Sequence, residues 1–226
     1  MTLVIVVYGT DFVVVGSDSR GTNVDSFGNR VELNIFRKIV RFNDRVALLL
    51  HGEASAAMYL IDELRKSASI NRLGVTEVGK RLWKIGNAQM AAAPLGTWNK
   101  LPQFGILVAG LDKGVGGPPV PRCFGINSAD SFWPHSYDQF AMKGKTMIAN
   151  YLFAKAFEEG MSVDALTRLV AQAIYDTMNV DGDVGGDISL LIIDSGGMRE
   201  VPKDDIPQLI QPWGRPLAYL KSEPGS

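Results

Sequence analysis

Residues 2–22 read TLVIVVYGTDFVVVGSDSRGT, and this stretch decides the fold. Leu3 to Val7 is an unbroken aliphatic and β-branched run, Tyr8-Gly9-Thr10-Asp11 reads as a turn, and Phe12 to Gly16 is a second apolar run. Two such runs around a short polar turn predict a β-hairpin in a core sheet. Chain ends fray unless something holds them down. A core strand starting this close to residue 1 therefore predicts that the terminus itself is used.

Working outward, Asn23 to Asn34 is polar and reads as a loop or ragged hairpin, and Lys38 to Phe42 and Val46 to Leu50 are apolar runs joined at Asn43-Asp44. From Glu53 the period changes: Ala57, Met58, Ile61 and Leu64 recur at three and four, the spacing of an amphipathic helix ending near Arg65-Lys66. Thr76 to Ala93 repeats that pattern. Phe104 to Ala109 and Arg122 to Ile126 read as strands around a Gly/Pro loop, Gly110 to Pro121. Lys145 to Glu159 reads as a helix, and Ser162 is placed to cap the next one, whose apolar face carries Leu166, Leu169, Val170, Ala173 and Ile174. Ile188 to Ile193 and Met198 to Val201 are strands around a Ser-Gly-Gly turn. From Pro202 the chain carries Pro207, Pro212, Trp213, Pro216, Tyr219 and Pro224, which predicts an extended arm. Strand hairpins toward both ends with helix pairs between them predict an α+β fold, a sandwich of two antiparallel sheets with helices on the outer faces. The expected organisation is one domain over 1–201 and an arm over 202–226.

Composition narrows the function. The chain has 226 residues, enough for a sizeable core, and its 23 Lys plus Arg nearly balance 24 Asp plus Glu. Without a basic tract, nucleic acid is not an expected partner. No stretch is long and apolar enough to suggest a membrane span, and Leu3 to Val7 is too short for a signal-peptide core. Cys123 is the only cysteine, so no internal disulfide forms, as suits a cytoplasmic protein.

Several familiar motifs fail on spacing. A Ser-His-Asp triad would need His51 or His135, one beside a glycine at a strand end and the other in a Trp-Pro-His loop. Gly144-Lys145-Thr146 suggests a phosphate-binding loop, but Gln139 stands where its first glycine belongs. Asp181-Gly182-Asp183 begins like a calcium loop, whose twelfth position is Ile192 instead of Glu. Gly114 to Gly117 follows a strand, yet Pro118-Pro119 blocks the helix that a dinucleotide site requires. No metal or cofactor is expected. What survives is Thr2: after removal of Met1 it would carry a hydroxyl nucleophile and an amine base on one residue. An α-amine titrates at about 7.7–8.0, close to working pH. The hairpin brings Asp18 and Arg20 back beside it, and Lys38 opens the next apolar run. A cation there would lower the pKa of the hydroxyl and of the amine, and a carboxylate would fix the lysine.

The order of Thr2, SDSRGT (Ser17–Thr22), FRK (Phe36–Lys38) and LLLHGEASAA (Leu48–Ala57) resembles the β-type subunits of the 20S proteasome, which are N-terminal nucleophile hydrolases. The likeness continues through the helix pair after Lys145 and the segment Asp181 to Gly186 into Ile188 to Ile193. It spans roughly Thr2 to Val201, and among bacterial relatives it is similar to the betaproteobacterial proteasome homologue.

The resemblance implies a four-layer αββα sandwich and a threonine-type endopeptidase, with Thr2 as nucleophile, Lys38 as activating cation, Asp18 as its partner, the Gly52 N–H as oxyanion donor and Asp181 under the amine. Arg20 and Thr22 would serve substrate binding. Gly21, Phe36, Leu50 and Ala54 would line an apolar pocket, implying cleavage after hydrophobic residues. It further implies homo-oligomeric rings, two of them stacked, acting on peptide or unfolded-protein substrates with an ATPase unfoldase as a possible partner. Two departures stand out. Active β subunits carry serines where this chain has Val184 and, in a Gly-Ser-Gly-Ser stretch, Met142-Lys143-Gly144-Lys145. Lys143 or Lys145 near the Thr2 amine would compensate by disfavouring its protonated form. The alternatives are an amidohydrolase acting on a small amide and a ring-forming scaffold with impaired catalysis.

Overall fold

The computed structural model describes residues 2–24, 30–66, 70–92, 103–114 and 117–211. β1 (Leu3–Tyr8) and β2 (Val13–Asp18) form the hairpin that the opening stretch predicts, in register from Val4 opposite Ser17 to Tyr8 opposite Val13. β2 pairs with β11 (Ile188–Asp194), which pairs with β12 (Gly197–Glu200). The other edge of β1 takes β10 (Phe140–Gly144), giving a five-stranded antiparallel sheet in the order β10-β1-β2-β11-β12. A second five-stranded sheet runs in sequence order through β5 (Ile39–Arg41), β6 (Val46–Gly52), β7 (Phe104–Asp112), β8 (Val120–Asn127) and β9 (His135–Tyr137). A separate ribbon pairs β3 (Gly21–Val24) with β4 (Arg30–Leu33).

Leu3 to Val7 is continuously apolar because both faces of β1 are buried. Val4 and Val6, with Val13 and Val15 of β2, meet Ala47, Leu49, Leu107 and Ala109 between the sheets. Leu3, Ile5, Val7 and Val14 face α3 (Met147–Ala156) and α4 (Val163–Val180) instead. Leu48 and Leu50 point away from the first sheet toward α1 (Ala54–Arg65) and α2 (Val75–Ala92). This is the expected four-layer αββα sandwich. Each fully buried Val or Leu contributes about 1.5–3 kcal/mol relative to exposure, so the three apolar layers supply the main driving force. Gly16 sets the closeness of the α4 contact, since a Cβ there would lie 2.4 Å from Val170 Cγ1. Gly16→Val would push α4 off the sheet.

α4 starts as its sequence predicts, with Ser162 Oγ accepting the Ala165 N–H at 3.3 Å. Other boundaries differ from expectation. The Gly/Pro loop is shorter, because β7 runs on to Asp112 and β8 begins at Val120. The bond from the Leu111 N–H to the Arg45 carbonyl carries pairing past Gly110. The helix expected from Lys145 to Glu159 covers only Met147 to Ala156, which leaves Lys145 in the turn before it. β9 and β10 were not anticipated, and they form by pairing with β8 and β1. The arm expected from Pro202 is not extended at first: Ile206–Leu209 forms the short helix α5, with Ile206 buried in the α3–α4 core. Gln211 N–H donates to Gln172 Oε1 at 2.8 Å. Pro212, Trp213, Pro216, Tyr219 and Pro224 lie outside the described residues. Among the described residues no helix is long and apolar enough to cross a membrane.

Candidate active site

Asp18 closes β2 beside the start of β1 and is fully buried. Its Oδ1 accepts the Lys38 ammonium at 2.6 Å, the Leu3 N–H at 2.9 Å and, at a long 3.5 Å, the Thr2 hydroxyl. Its Oδ2 accepts the Gly185 N–H at 3.1 Å and the Arg20 N–H at 3.3 Å. A buried ion pair persists only when its remaining lone pairs are satisfied, and three backbone donors do that here. Lys38 is 3 % exposed, held where β5 begins by the bond from the Leu50 N–H to its carbonyl at 2.8 Å. Burial pushes the Lys38 ammonium below its ordinary pKa, while the attraction of Asp18 opposes the shift.

Thr2 is 8 % exposed and its backbone is pinned from the other edge. The Lys145 N–H donates to the Thr2 carbonyl at 2.9 Å. Gly144 has φ of 95°, and a Cβ on it would fall 1.7 Å from that carbonyl oxygen, so only glycine lets the strands meet this way. The Lys145 ammonium lies 3.2 Å from Asp181 Oδ2 and 3.1 Å from Asp183 Oδ2, and those hydrogen bonds hold its pKa above the ordinary lysine value. Asp181 ends α4, its N–H donating to the Thr177 carbonyl at 2.8 Å and its Oδ1 accepting the Asp183 N–H at 2.9 Å. Arg20 ties the loop after α4 to the end of β2. Its guanidinium donates to the Gly182 carbonyl and to Asn34 Oδ1, and it occupies the space a Cβ on Gly185 would need.

Beside Thr2 is a cavity of about 130 Å³. Thr2, Lys38 and Gly52 border it together with Gly21, Phe36, Leu50 and Ala54, and Arg20, Thr22, His51 and Glu53 complete the wall. Gly52, with φ of 77°, brings its backbone to the mouth, and a Cβ there would strike the Gln103 carbonyl at 2.3 Å. A larger groove of about 470 Å³ between α4 and α5 is mostly apolar and lacks a comparable convergence of charged groups. Among the described residues, no three His, Cys, Asp or Glu side chains are grouped to hold a metal ion.

The structure thus gathers Thr2, Asp18, Lys38, Gly52 and the apolar wall residues into one place, with Asp181 held on the flank by Lys145. The side chains of Val184 and Lys143 do not border the cavity. Val184 is 1 % exposed and packs into the α3–α4 core. The Lys143 ammonium lies 5.5 Å over the Tyr137 ring. His51 and Glu53 were not expected in the cavity wall. The signal for His51 was a polar residue continuing an apolar strand. His51 Nε2 is buried without a hydrogen-bond partner among the described residues, and burial, reinforced by the Lys143 charge, pushes its pKa down to about 4. Glu53 caps α1 by accepting the Ser55 N–H at 3.1 Å.

The family model described as "Proteasome subunit" matches residues 2–193. The chain is 26 % identical over 203 residues to proteasome subunit beta 1 of Thermococcus sibiricus, covering 89 % of this chain and 90 % of that protein. It is 27 % identical over 198 residues to proteasome subunit beta type-9 of Rattus norvegicus, covering 87 % and 84 %. It is 26 % identical over 198 residues to proteasome subunit beta type-6 of Dictyostelium discoideum, covering 87 % and 86 %. The chain belongs to the proteasome subunit family, and these relatives are all of its β type.

Proposed function

We propose that this chain is a self-compartmentalising threonine-type endopeptidase subunit that uses Thr2 after removal of Met1. The observation that carries the proposal is the buried Asp18–Lys38 pair, with the Thr2 hydroxyl on the same carboxylate oxygen at the edge of a cavity. The Thr2 hydroxyl oxygen attacks the carbonyl carbon of the peptide bond, and its proton passes to the free Thr2 amine. The Lys38 charge, little screened at this depth, favours the alkoxide character that attack requires. The oxyanion takes the Gly52 N–H, a kind of donor whose loss typically costs about 10²–10³ in rate. Collapse expels the amine product, which takes the proton from the Thr2 amine and leaves an ester on Thr2. Water then attacks that ester, the same amine takes and returns the proton, and the carboxylic acid product departs.

Gly21, Phe36, Leu50 and Ala54 suit the cavity to hydrophobic side chains, so cleavage follows apolar residues. Arg20 and Thr22 flank that space, and Asp181 would sit under the Thr2 amine. Exposed Tyr59 on α1 and Met147 and Tyr151 on α3 support contacts between copies, as in two stacked homo-oligomeric rings. Substrates would be peptides or unfolded chains, and an ATPase unfoldase would deliver folded ones. A second reading, a ring-forming subunit of impaired turnover, is favoured by Val184, a core-packed apolar residue at the sequence position where the resemblance implies a serine.

The test compares mature protein with Thr2→Ala and with a form that keeps Met1, using N-terminal sequencing and a fluorogenic hydrophobic peptide. The expected result is a mature chain starting at Thr2, with turnover absent from both altered forms although they assemble normally. Equal turnover by the Met1-retaining and trimmed forms would overturn the reading.

A further inference from the structure

The reaction just described gives Lys145 no task, yet Lys145 touches the nucleophile and its surroundings twice. Its backbone N–H holds the Thr2 carbonyl at 2.9 Å. Its ammonium spans to the loop after α4, between Asp183 Oδ2 at 3.1 Å and Asp181 Oδ2 at 3.2 Å. Three residues past Asp181 the chain turns inward, with the Val184 N–H returning to the Asp181 carbonyl at 3.0 Å. The next residue, Gly185, is buried and places its N–H 3.1 Å from Asp18 Oδ2. Its carbonyl accepts the Ser19 N–H at 3.1 Å. The loop therefore has one end on Lys145 and the other on Asp18. Thr2 and the Asp18–Lys38 pair are joined through it by a route separate from their direct contacts.

We propose that Lys145 is a positioning residue for the Thr2 reaction. Its ammonium fixes the Asp181–Gly185 loop against the Thr2 backbone and so keeps Asp18 and Lys38 aligned with the hydroxyl. The inference rests on the threonine-nucleophile reading. Two features of the cluster make its value geometric. The Lys145 side chain is 33 % exposed, and ion pairs at such exposure contribute little to stability. Without the cation, however, Asp181 and Asp183 would face one another as like charges and move apart. A displacement of about 1 Å at a reacting group can cost roughly a hundredfold in rate. A bridge that contributes little to folding can therefore matter greatly to turnover.

The same contacts change the expectation that Lys145 keeps the Thr2 amine unprotonated. With one ammonium between two carboxylates, the cluster carries a net charge of one minus, so it offers the amine no repelling positive charge.

The experiment uses the full chain with Lys145→Met, Lys145→Arg and Asp183→Asn, and reads amide hydrogen exchange alongside kcat and KM for a hydrophobic fluorogenic peptide. Lys145→Met should speed exchange at Val184 and Gly185 at least about tenfold and lower kcat about 10- to 100-fold, with KM within about threefold. Lys145→Arg should restore both within about threefold of the parent, and Asp183→Asn should fall between. Parental exchange in Lys145→Met would overturn the proposal. So would faster exchange with unchanged kcat, which would make the bridge merely structural. If the parent shows no turnover, the peptidase reading fails, and the exchange rates still decide whether Lys145 fixes the loop.

Discussion

On one side of Thr2, Asp18 and Lys38 face each other at 2.6 Å with almost no exposure. On the other, Lys145 is shared between Asp181 and Asp183 with about a third of its side chain in water. The residue types are the same, and the two lysines shift in opposite directions: burial lowers the pKa of Lys38, and two carboxylates raise that of Lys145. The buried pair sits in a poorly screened environment, so its charges act strongly on a neighbouring hydroxyl and its geometry is over-determined by backbone donors. The exposed cluster is screened and contributes a fixed position instead. On the proposed reading, one side of the site supplies field and the other supplies alignment.

Breaking the buried side should have the larger effect. Lys38→Met should lower kcat/KM by at least about a hundredfold, the scale of losing one electrostatic stabiliser. Removing one partner of a buried pair typically costs about 3–5 kcal/mol. The cost should lie at the lower end, because Asp18 keeps the N–H groups of Leu3, Arg20 and Gly185. Peptide kinetics and urea melts on the same preparation measure both, and near-parental turnover would reduce Lys38 to an ordinary structural ion pair.

An intermediate loss is expected when only the backbone of the aligning side is disturbed. Gly144→Ala adds a side chain at φ of 95°, a conformation costing about 1–3 kcal/mol for a non-glycine residue. The new Cβ displaces the Thr2 carbonyl, so kcat should fall about 10- to 100-fold with Asp18 and Lys38 untouched. Unchanged kcat in a folded variant would show that Thr2 does not depend on this edge.

The smallest effect concerns pH. Burial and the Lys143 charge, against an opposing Asn127 hydrogen bond, push the pKa of His51 in the cavity wall from its ordinary 6.5 down to about 4. Because its folded pKa is the lower one, the stability it contributes is complete above about 6.5 and is lost as pH falls toward 4. At pH 5 the parent should have lost about 1–2 kcal/mol from this source. His51→Gln should show a correspondingly shallower acid loss in urea midpoints compared at pH 7.5 and 5. Parallel losses would mean that burial of His51 carries no such cost.

Much of this architecture was legible in the sequence. The β1–β2 runs, the three-and-four spacing in α1 and the Ser162 cap are local signals, and each produced the element it predicts. β10 was not legible because Phe140 to Gly144 becomes a strand through β1, a partner more than a hundred residues away. The site divided in the same way. The nearness of Asp18 to Thr2 is legible because the hairpin returns Asp18 to the start of β1, and Lys38 joins them where β5 begins. The Lys145 bridge depends on β10 and on the end of α4 meeting in space, which no spacing within either segment announces. The sequence marks Val184 as an apolar residue in a polar loop, but only packing shows that it belongs to the helical core.

Covalent labelling distinguishes a Thr2 that reacts through both its hydroxyl and its freed amine from one that does not. The protein would be incubated with a hydrophobic peptide epoxyketone, and the modified peptide mapped by mass spectrometry. The expected result is a single adduct on an N-terminal Thr2 lacking Met1, abolished in Thr2→Ala and strongly slowed in Lys38→Met. Peptide turnover accompanied by an adduct on another residue, or by an unmodified Thr2 still joined to Met1, would contradict it.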